Sequence, residues 1–309
     1  MSTLGSITEM IGLYVQNNLK NYSNIHDSYI QHSPDFLRTL EDIINDQLVI
    51  EDGDILVTID VTGLYTNIPV NEGIKACKDI LEKHSDDKEK NEFVIELLEL
   101  VLKHNIFELD GKLYRQLIGT AMGSKPAPDY ANIFMSVIDE EILKLSDKIK
   151  FFKRFLDDCY MIFRGSCREL HEFINDINQI NNSIKFTVEH TKPYNVNSEF
   201  CEDCEKSLET SIPFLDTQTK IEGGKILVDL YKKPTDRNMY LLTSSCHPAQ
   251  TFKNIPYSLA LRIVRICSLE EVRDQRLGEL RELLLAREYK AGIVDAAIKK
   301  ARDIPRVEA

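Results

Sequence analysis

The sequence predicts an α+β fold: a sheet backed by helices, then a wholly helical tail. Three features predict it. Short apolar runs bounded by turn residues alternate with segments of helical periodicity as far as about residue 230. Two pairs of these runs are split by tight turns, at Asp157-Asp158 and at Gly223-Gly224, which makes antiparallel hairpins of them. Beyond Pro256 only helical periodicity remains.

Taken in order, Ile7, Met10, Ile11, Tyr14 and Val15 recur at helical spacing and predict an amphipathic opening helix. Ser33-Pro34 starts a second helix through Phe36, Leu37, Leu40 and Ile44. Asp52-Gly53 marks a turn, after which Ile55-Leu56-Val57-Thr58-Ile59 is a short strand ending in Asp60. Asn71 caps a helix carrying Ile74, Cys77 and Leu81, and another helix runs from about Glu92 to His104. Asp110-Gly111 closes a hairpin over Phe107 to Tyr114. A loop rich in glycine and proline, Gly119 to Pro128, leads into a helix through Ile133, Val137 and Ile138. After the Phe151 to Phe163 hairpin come a helix from about Cys167 to Ile180 and a strand at Ile184 to Val188. Residues 191–210 read as a long polar loop. The hairpin from Phe214 to Tyr231 is the last pair of strands. A helix after Pro256 and an acid- and base-rich helical pair from about Leu269 to Arg302 complete the chain.

With 309 residues, 43% hydrophobic and 28% charged, the composition is that of a soluble globular protein of one large domain or two modest ones. No apolar run reaches the ~20 residues of a membrane span, and the first residues lack the basic start and apolar stretch of a signal peptide. Seven cysteines, an odd number, are expected to be reduced thiols in an intracellular protein. A net charge of −12 runs against the basic footprint of a nucleic-acid binder. Between Glu222 and Arg265, however, seven bases (Lys225, Lys232, Lys233, Arg237, Lys253, Arg262, Arg265) face three acids (Glu222, Asp229, Asp236). That stretch suits a local phosphate-binding surface, although charge alone favours a solvated face.

The acids at strand ends are more informative. A carboxylate at the end of a buried strand has to be paired, protonated or bound to a metal. Asp60 ends one apolar strand, and Asp157 and Asp158 sit at the turn of an apolar hairpin. If these strands are neighbours, three carboxylates converge at one sheet edge. An all-oxygen set of that density suits Mg²⁺ or Mn²⁺ and favours two ions, which at a separation of roughly 4 Å activate a 3′ hydroxyl and stabilise a leaving pyrophosphate.

These segments resemble the motifs of reverse transcriptases. Ile59-Asp60-Val61-Thr62-Gly63-Leu64-Tyr65-Thr66-Asn67-Ile68-Pro69 is similar to the first palm motif. Gln116-Leu117-Ile118-Gly119-Thr120-Ala121-Met122-Gly123-Ser124-Lys125-Pro126-Ala127-Pro128 is similar to the second, and Phe155-Leu156-Asp157-Asp158 to the third, with Phe155 in place of the usual Tyr. Phe214-Leu215-Asp216 and Leu230-Tyr231-Lys232-Lys233-Pro234-Thr235-Asp236 resemble the primer-gripping hairpin. Leu64 to Pro69, Ser245-Cys246-His247-Pro248 and Asn254-Ile255-Pro256-Tyr257-Ser258-Leu259-Ala260 are particularly similar to Penelope-like retroelements. The resemblance runs from about Ile30 to Ala301.

It implies a right-hand polymerase architecture, with an N-terminal helical remnant of the fingers (1–50), a palm (51–250) and a helical thumb (251–309). It further implies an RNA-directed DNA polymerase that uses two Mg²⁺ ions, or Mn²⁺ in their place, on Asp60, Asp157 and Asp158. Its partners would be an RNA template, a DNA primer and dNTPs, in a nuclear setting. Tyr65 would face the sugar and exclude a 2′ hydroxyl. Gln116, Gly119 and Gly123 would line the template and nucleotide site, and Lys232, Lys233, Lys253, Arg262 and Arg265 would contact nucleic acid. Only 59 residues precede Asp60, with Lys20 and Arg38 their only Lys or Arg, so truncated fingers are expected. Truncation and acidity leave open a catalytically silent, reverse-transcriptase-derived binding protein, and the same acids would also serve a metal-dependent nuclease. Cys201-Glu202-Asp203-Cys204 has zinc-ligand spacing but no second such pair, and loop cysteines are the expected reading. The stripe Leu277, Leu280, Leu283, Leu284 and Leu285, beside Arg273, Arg276, Arg281 and Arg287, is expected to pack on a neighbouring helix, its arginines placed to track a duplex backbone.

Overall fold

A computed structural model of the chain describes residues 6–46, 48–196 and 210–306. Cys201 and Cys204 lie outside the described residues. Two helices, α1 (Glu9–Leu19) and α2 (Ser33–Asp46), precede strand β1 (Asp54–Val61). A short helix α3 (Leu64–Asn67) and two long ones, α4 (Val70–His84) and α5 (Lys88–Lys103), lead to the hairpin β2 (Ile106–Leu109) and β3 (Lys112–Arg115). Then come α6 (Ala127–Leu145), β4 (Ile149–Phe155), β5 (Asp158–Arg164), α7 (Cys167–Ile180) and β6 (Phe186–His190). A second sheet follows, β7 (Ser211–Phe214), β8 (Thr217–Glu222) and β9 (Lys225–Leu230), and the chain closes with α8 (Ala249–Ile266), α9 (Glu270–Leu285) and α10 (Ala291–Arg302).

The first sheet is antiparallel, in the order β4-β5-β1-β6. Its central strands β1 and β5 read as near-continuous apolar runs because both of their faces are buried. Ile55, Val57, Ile59 and Val61 of β1, with Cys159, Met161 and Phe163 of β5, face a core built with α4, α5, α6 and α7. Leu56, Tyr160 and Ile162 point the other way, into a second core with α2, the β7-β8-β9 sheet and the three C-terminal helices. A hydrogen bond of 3.1 Å from the Tyr160 hydroxyl to Thr219 Oγ1 joins the two sheets inside that core.

Local chemistry sets the element ends. Ser166 and Glu169 form a reciprocal capping box at the start of α7. Asp87 accepts from Lys90 N at 3.1 Å and caps α5. Helix α4 begins at Val70 with Pro69 at the cap position, so Asn71 lies inside the first turn rather than capping it. Helix α6 is buried on nearly every side. Gly73 lets α4 approach it, because a Cβ there would stand 2.0 Å from the Tyr130 hydroxyl.

The opening helix differs from its expected face. Val15 and Leu19 are buried, whereas Ile7 and Met10 are 95% and 72% exposed, because the turn carrying them lies beyond the core. Cys77, Cys159, Cys167 and Cys267 are buried and serve as small core residues. The leucine stripe of α9 packs inward through Leu277, Leu280 and Leu284. The neighbouring arginines are engaged within the protein: Arg273 with Glu270, Arg276 with Asp229 and Glu279, Arg281 with Asp295, and Arg287 with Met239. Among the described residues no helix is long and apolar enough to cross a membrane.

Candidate active site

Antiparallel pairing of β1 with β5 sets Asp60 opposite Asp158. Phe155 pairs with Asp158, so Leu156 and Asp157 are the two turn residues of the β4-β5 hairpin. The turn is held against β1 by Val61 N donating to Asp157 O at 3.1 Å. Three acids therefore gather at one end of the sheet, and two of them, Asp60 and Asp158, line a cleft of about 500 Å³ between the two sheets. Asp60, Asp158, Thr187, Phe214, Tyr231 and Lys233 are among its lining residues.

The electrostatics are those of crowded like charges. Partial desolvation, and then the neighbouring Asp157, raise the Asp60 carboxyl above the usual range. Asp158 is pushed up to about 6, by burial first and then by Asp157 and Asp60, with Lys233 pulling in the opposite direction. No group of three His, Cys, Asp or Glu side chains among the described residues is arranged to hold an ion by itself. Mg²⁺ does not need such a cage, since it keeps water and takes one or two carboxylates together with substrate phosphates. All-oxygen donors that repel one another, on facing strands, fit a divalent cation of that kind.

Tyr65 stands half-buried on α3, just past the end of β1. Its position is tied to the loop before α6. Thr120 N donates to Tyr65 O at 2.6 Å, and Gly119 N donates to Ile68 O at 3.1 Å. Gly119 has φ of 72°, and a Cβ there would meet Tyr65 O at 2.4 Å and the Thr66 carbonyl carbon and oxygen at 2.6 Å. The absence of a side chain at Gly119 thus serves backbone docking between two chain segments.

Gln116 lines a separate cleft with Pro69, Arg115 and Ile118. Its side chain is used locally, accepting from Asn105 Nδ2 at 2.6 Å and donating to Ile118 O at 2.8 Å. Gly123 is exposed. Asp129, at the start of α6, is buried and accepts from Ser23 Oγ at 2.6 Å.

Of the bases, Lys233 reaches the acidic cleft. Lys232 pairs with Glu279 at 3.6 Å and Arg262 with Asp216 at 2.8 Å. Lys253 is exposed on α8, and the Arg265 carbonyl accepts from Arg306 Nε at 3.0 Å. Arg154, not among the residues that the sequence motifs single out, is 1% exposed and paired with Asp139 at 2.8 Å. An arginine in an apolar strand, three residues before the acidic pair, was the available signal.

An antiparallel sheet with acids at one end, helices behind it and a helical unit after it is the palm-and-thumb architecture of nucleic-acid polymerases. A family model described as "Reverse transcriptase (RNA-dependent DNA polymerase)" matches residues 10–215, two thirds of the chain, and the chain belongs to that family. A second model, "Animal helix-turn-helix domain", matches residues 239–299, which span α8, α9 and most of α10. Among solved structures, telomerase from Candida albicans in complex with a TWJ fragment of telomeric RNA matches at 13% identity. That match covers 96% of this chain and 48% of the other, with a TM-score of 0.64. Apo telomerase from Candida tropicalis matches at 13% identity, over 97% of this chain and 50% of the other, with a TM-score of 0.54. The chain spans about half the length of these solved relatives. No curated protein sequence matches.

Proposed function

We propose that the chain is the RNA-directed DNA polymerase unit of a retroelement, adding deoxynucleotides to a primer 3′ hydroxyl on an RNA template. The observation that carries the reading is the facing pair Asp60 and Asp158, with Asp157 on the adjoining turn. Two Mg²⁺ ions, or Mn²⁺, on these carboxylates would supply the charge stabilisation and hydroxyl activation of phosphoryl transfer. Asp60 and Asp157 are the main candidate ligands, with Asp158 supporting. Lys233, across the cleft, offers a positive charge to a primer or triphosphate phosphate. Tyr65, fixed by Thr120 and Gly119, presents its ring to the sugar. The proposed division is residues 1–50 as a helical part of the fingers, 51–250 as palm and 251–309 as thumb. The match to a helix-turn-helix model supports a duplex-gripping role for this last unit. Similarity of Leu64 to Pro69, of Ser245 to Pro248 and of Asn254 to Ala260 to Penelope-like elements supports that lineage, and with it a nuclear site of action.

The test is extension of a labelled DNA primer on an RNA template, with dNTPs and Mg²⁺ or Mn²⁺. Longer products support the reading. Binding without extension would make the chain a silent nucleic-acid-binding derivative, and short cleavage products without extension would make it a nuclease.

A further inference from the structure

We infer that Arg154 is a positioning residue for the acidic turn: from within the protein it fixes the backbone of Leu156-Asp157 and so sets where the carboxylates of Asp157 and Asp158 stand. The inference rests on reading those acids as the metal centre. Arg154 is the largest fully buried side chain described. Its Nε donates to both oxygens of Asp139 on α6, at 3.0 and 2.8 Å. Its Nη1 donates to Asn132 Oδ1, also on α6, and to Leu156 O, each at 3.0 Å. Asp139 is further held by Ser28 Oγ at 2.6 Å. The backbone of Arg154 is pinned as well, its N donating to Ser28 O at 2.6 Å and its O accepting from Ile30 N at 2.9 Å. The guanidinium thus joins α6 to the hairpin turn, while the Arg154 backbone and Asp139 tie both to the segment before α2.

Two considerations make this more than a structural ion pair. A buried ion pair gives little net stability over well-packed apolar groups, so stability alone gives no strong reason to keep a charge in this strand. The carbonyl it holds belongs to Leu156, whose φ of 54° is a conformation that L-residues rarely adopt. A strained turn persists where its surroundings over-determine it, and strain of this kind concentrates at functional sites. Arg154 provides the restraint at the residue immediately before Asp157.

The test is Mn²⁺ binding without substrate, followed by the EPR signal of the free ion, in wild type, Arg154→Lys and Arg154→Lys/Leu156→Gly. A lysine keeps a charge for Asp139, but its single ammonium cannot reproduce the fork that also reaches Leu156 O and Asn132. Mn²⁺ affinity is expected to fall about tenfold in Arg154→Lys, as when the groups that orient metal ligands are removed. The kcat of primer extension should fall alongside, with KM for the nucleotide little changed. Adding Leu156→Gly, which adopts the turn without strain, should recover most of the affinity. Circular dichroism and a thermal melt establish that each variant is folded. If Arg154→Lys is not folded, Asn132→Ala, which spares the Arg154–Asp139 pair, should itself weaken Mn²⁺ binding.

A folded variant that binds Mn²⁺ like wild type overturns the inference, as does a loss that Leu156→Gly leaves untouched. Arg154-dependent Mn²⁺ binding in a wild type that extends no primer would leave the positioning role standing and remove the polymerase reading. Primer extension with Mn²⁺ binding indifferent to Arg154 would do the reverse.

Discussion

Replacing Gly119 with alanine is expected to destabilise the chain by about 3–4 kcal/mol and to loosen discrimination between deoxy- and ribonucleotides. The first part of the cost is conformational. At φ of 72° an L-side chain meets its own backbone, at about 1–2 kcal/mol. The second is steric, since the new Cβ would stand 2.4 Å from Tyr65 O and 2.6 Å from the Thr66 carbonyl. These are backbone atoms, so no rotamer change relieves the clash and the loop has to retreat. Retreat gives up the bonds from Thr120 N to Tyr65 O and from Gly119 N to Ile68 O, each worth about 1 kcal/mol net. Tyr65 moves with its carbonyl, so the ring proposed to exclude a 2′ hydroxyl is displaced. Urea denaturation measures the stability loss, and single-nucleotide incorporation with dNTP and rNTP measures the preference. A loss below about 1 kcal/mol with an unchanged preference would refute the docking argument.

Gly73→Ala drives a methyl group into the buried ring of Tyr130, with contacts of 2.0 to 2.6 Å, and should cost about 1–3 kcal/mol of overpacking, read by thermal melting. Tyr160→Phe removes the buried hydroxyl bond between the two sheets and should cost about 1 kcal/mol in the same experiment. Glu169 is held down to about 2 by the Lys148 ammonium and by the Ser166 amide and hydroxyl. A carboxyl depressed on folding stabilises above its unfolded pKa and loses that contribution as pH falls through its folded value. The deficit of Glu169→Gln, under about 1 kcal/mol at this exposed pair, should therefore be present at pH 7 and close as pH approaches 2. A deficit that does not change with pH would contradict it.

The central sheet is legible because β1 and β5 are buried on both faces and announce themselves as apolar runs. The meeting of Asp60 with Asp158 is legible for the same reason: two apolar strands ending in acids, one of them in a hairpin, pack as neighbours. What is hidden depends on partners distant in sequence. Arg154 finds Asp139 and Asn132 only once α6 lies against β4. The role of Gly119 needs the α3 backbone beside it, and α3 itself, four residues long, carries no periodicity. The pairing of Lys232 with Glu279 and of Arg262 with Asp216 depends on how the C-terminal helices dock, which charge counts along the chain do not reveal. The exposure of Ile7 and Met10 shows the reverse case, helical spacing of apolar residues that continues past the edge of the core.

The most direct test of the central claim removes one charge at a time from the acidic cluster. Asp60→Asn and Asp157→Asn should fold at least as well as wild type in EDTA, since each relieves repulsion, and should abolish Mg²⁺-dependent extension of a DNA primer on an RNA template. Folded variants that extend the primer at the wild-type rate would show that the chemistry does not run through these carboxylates.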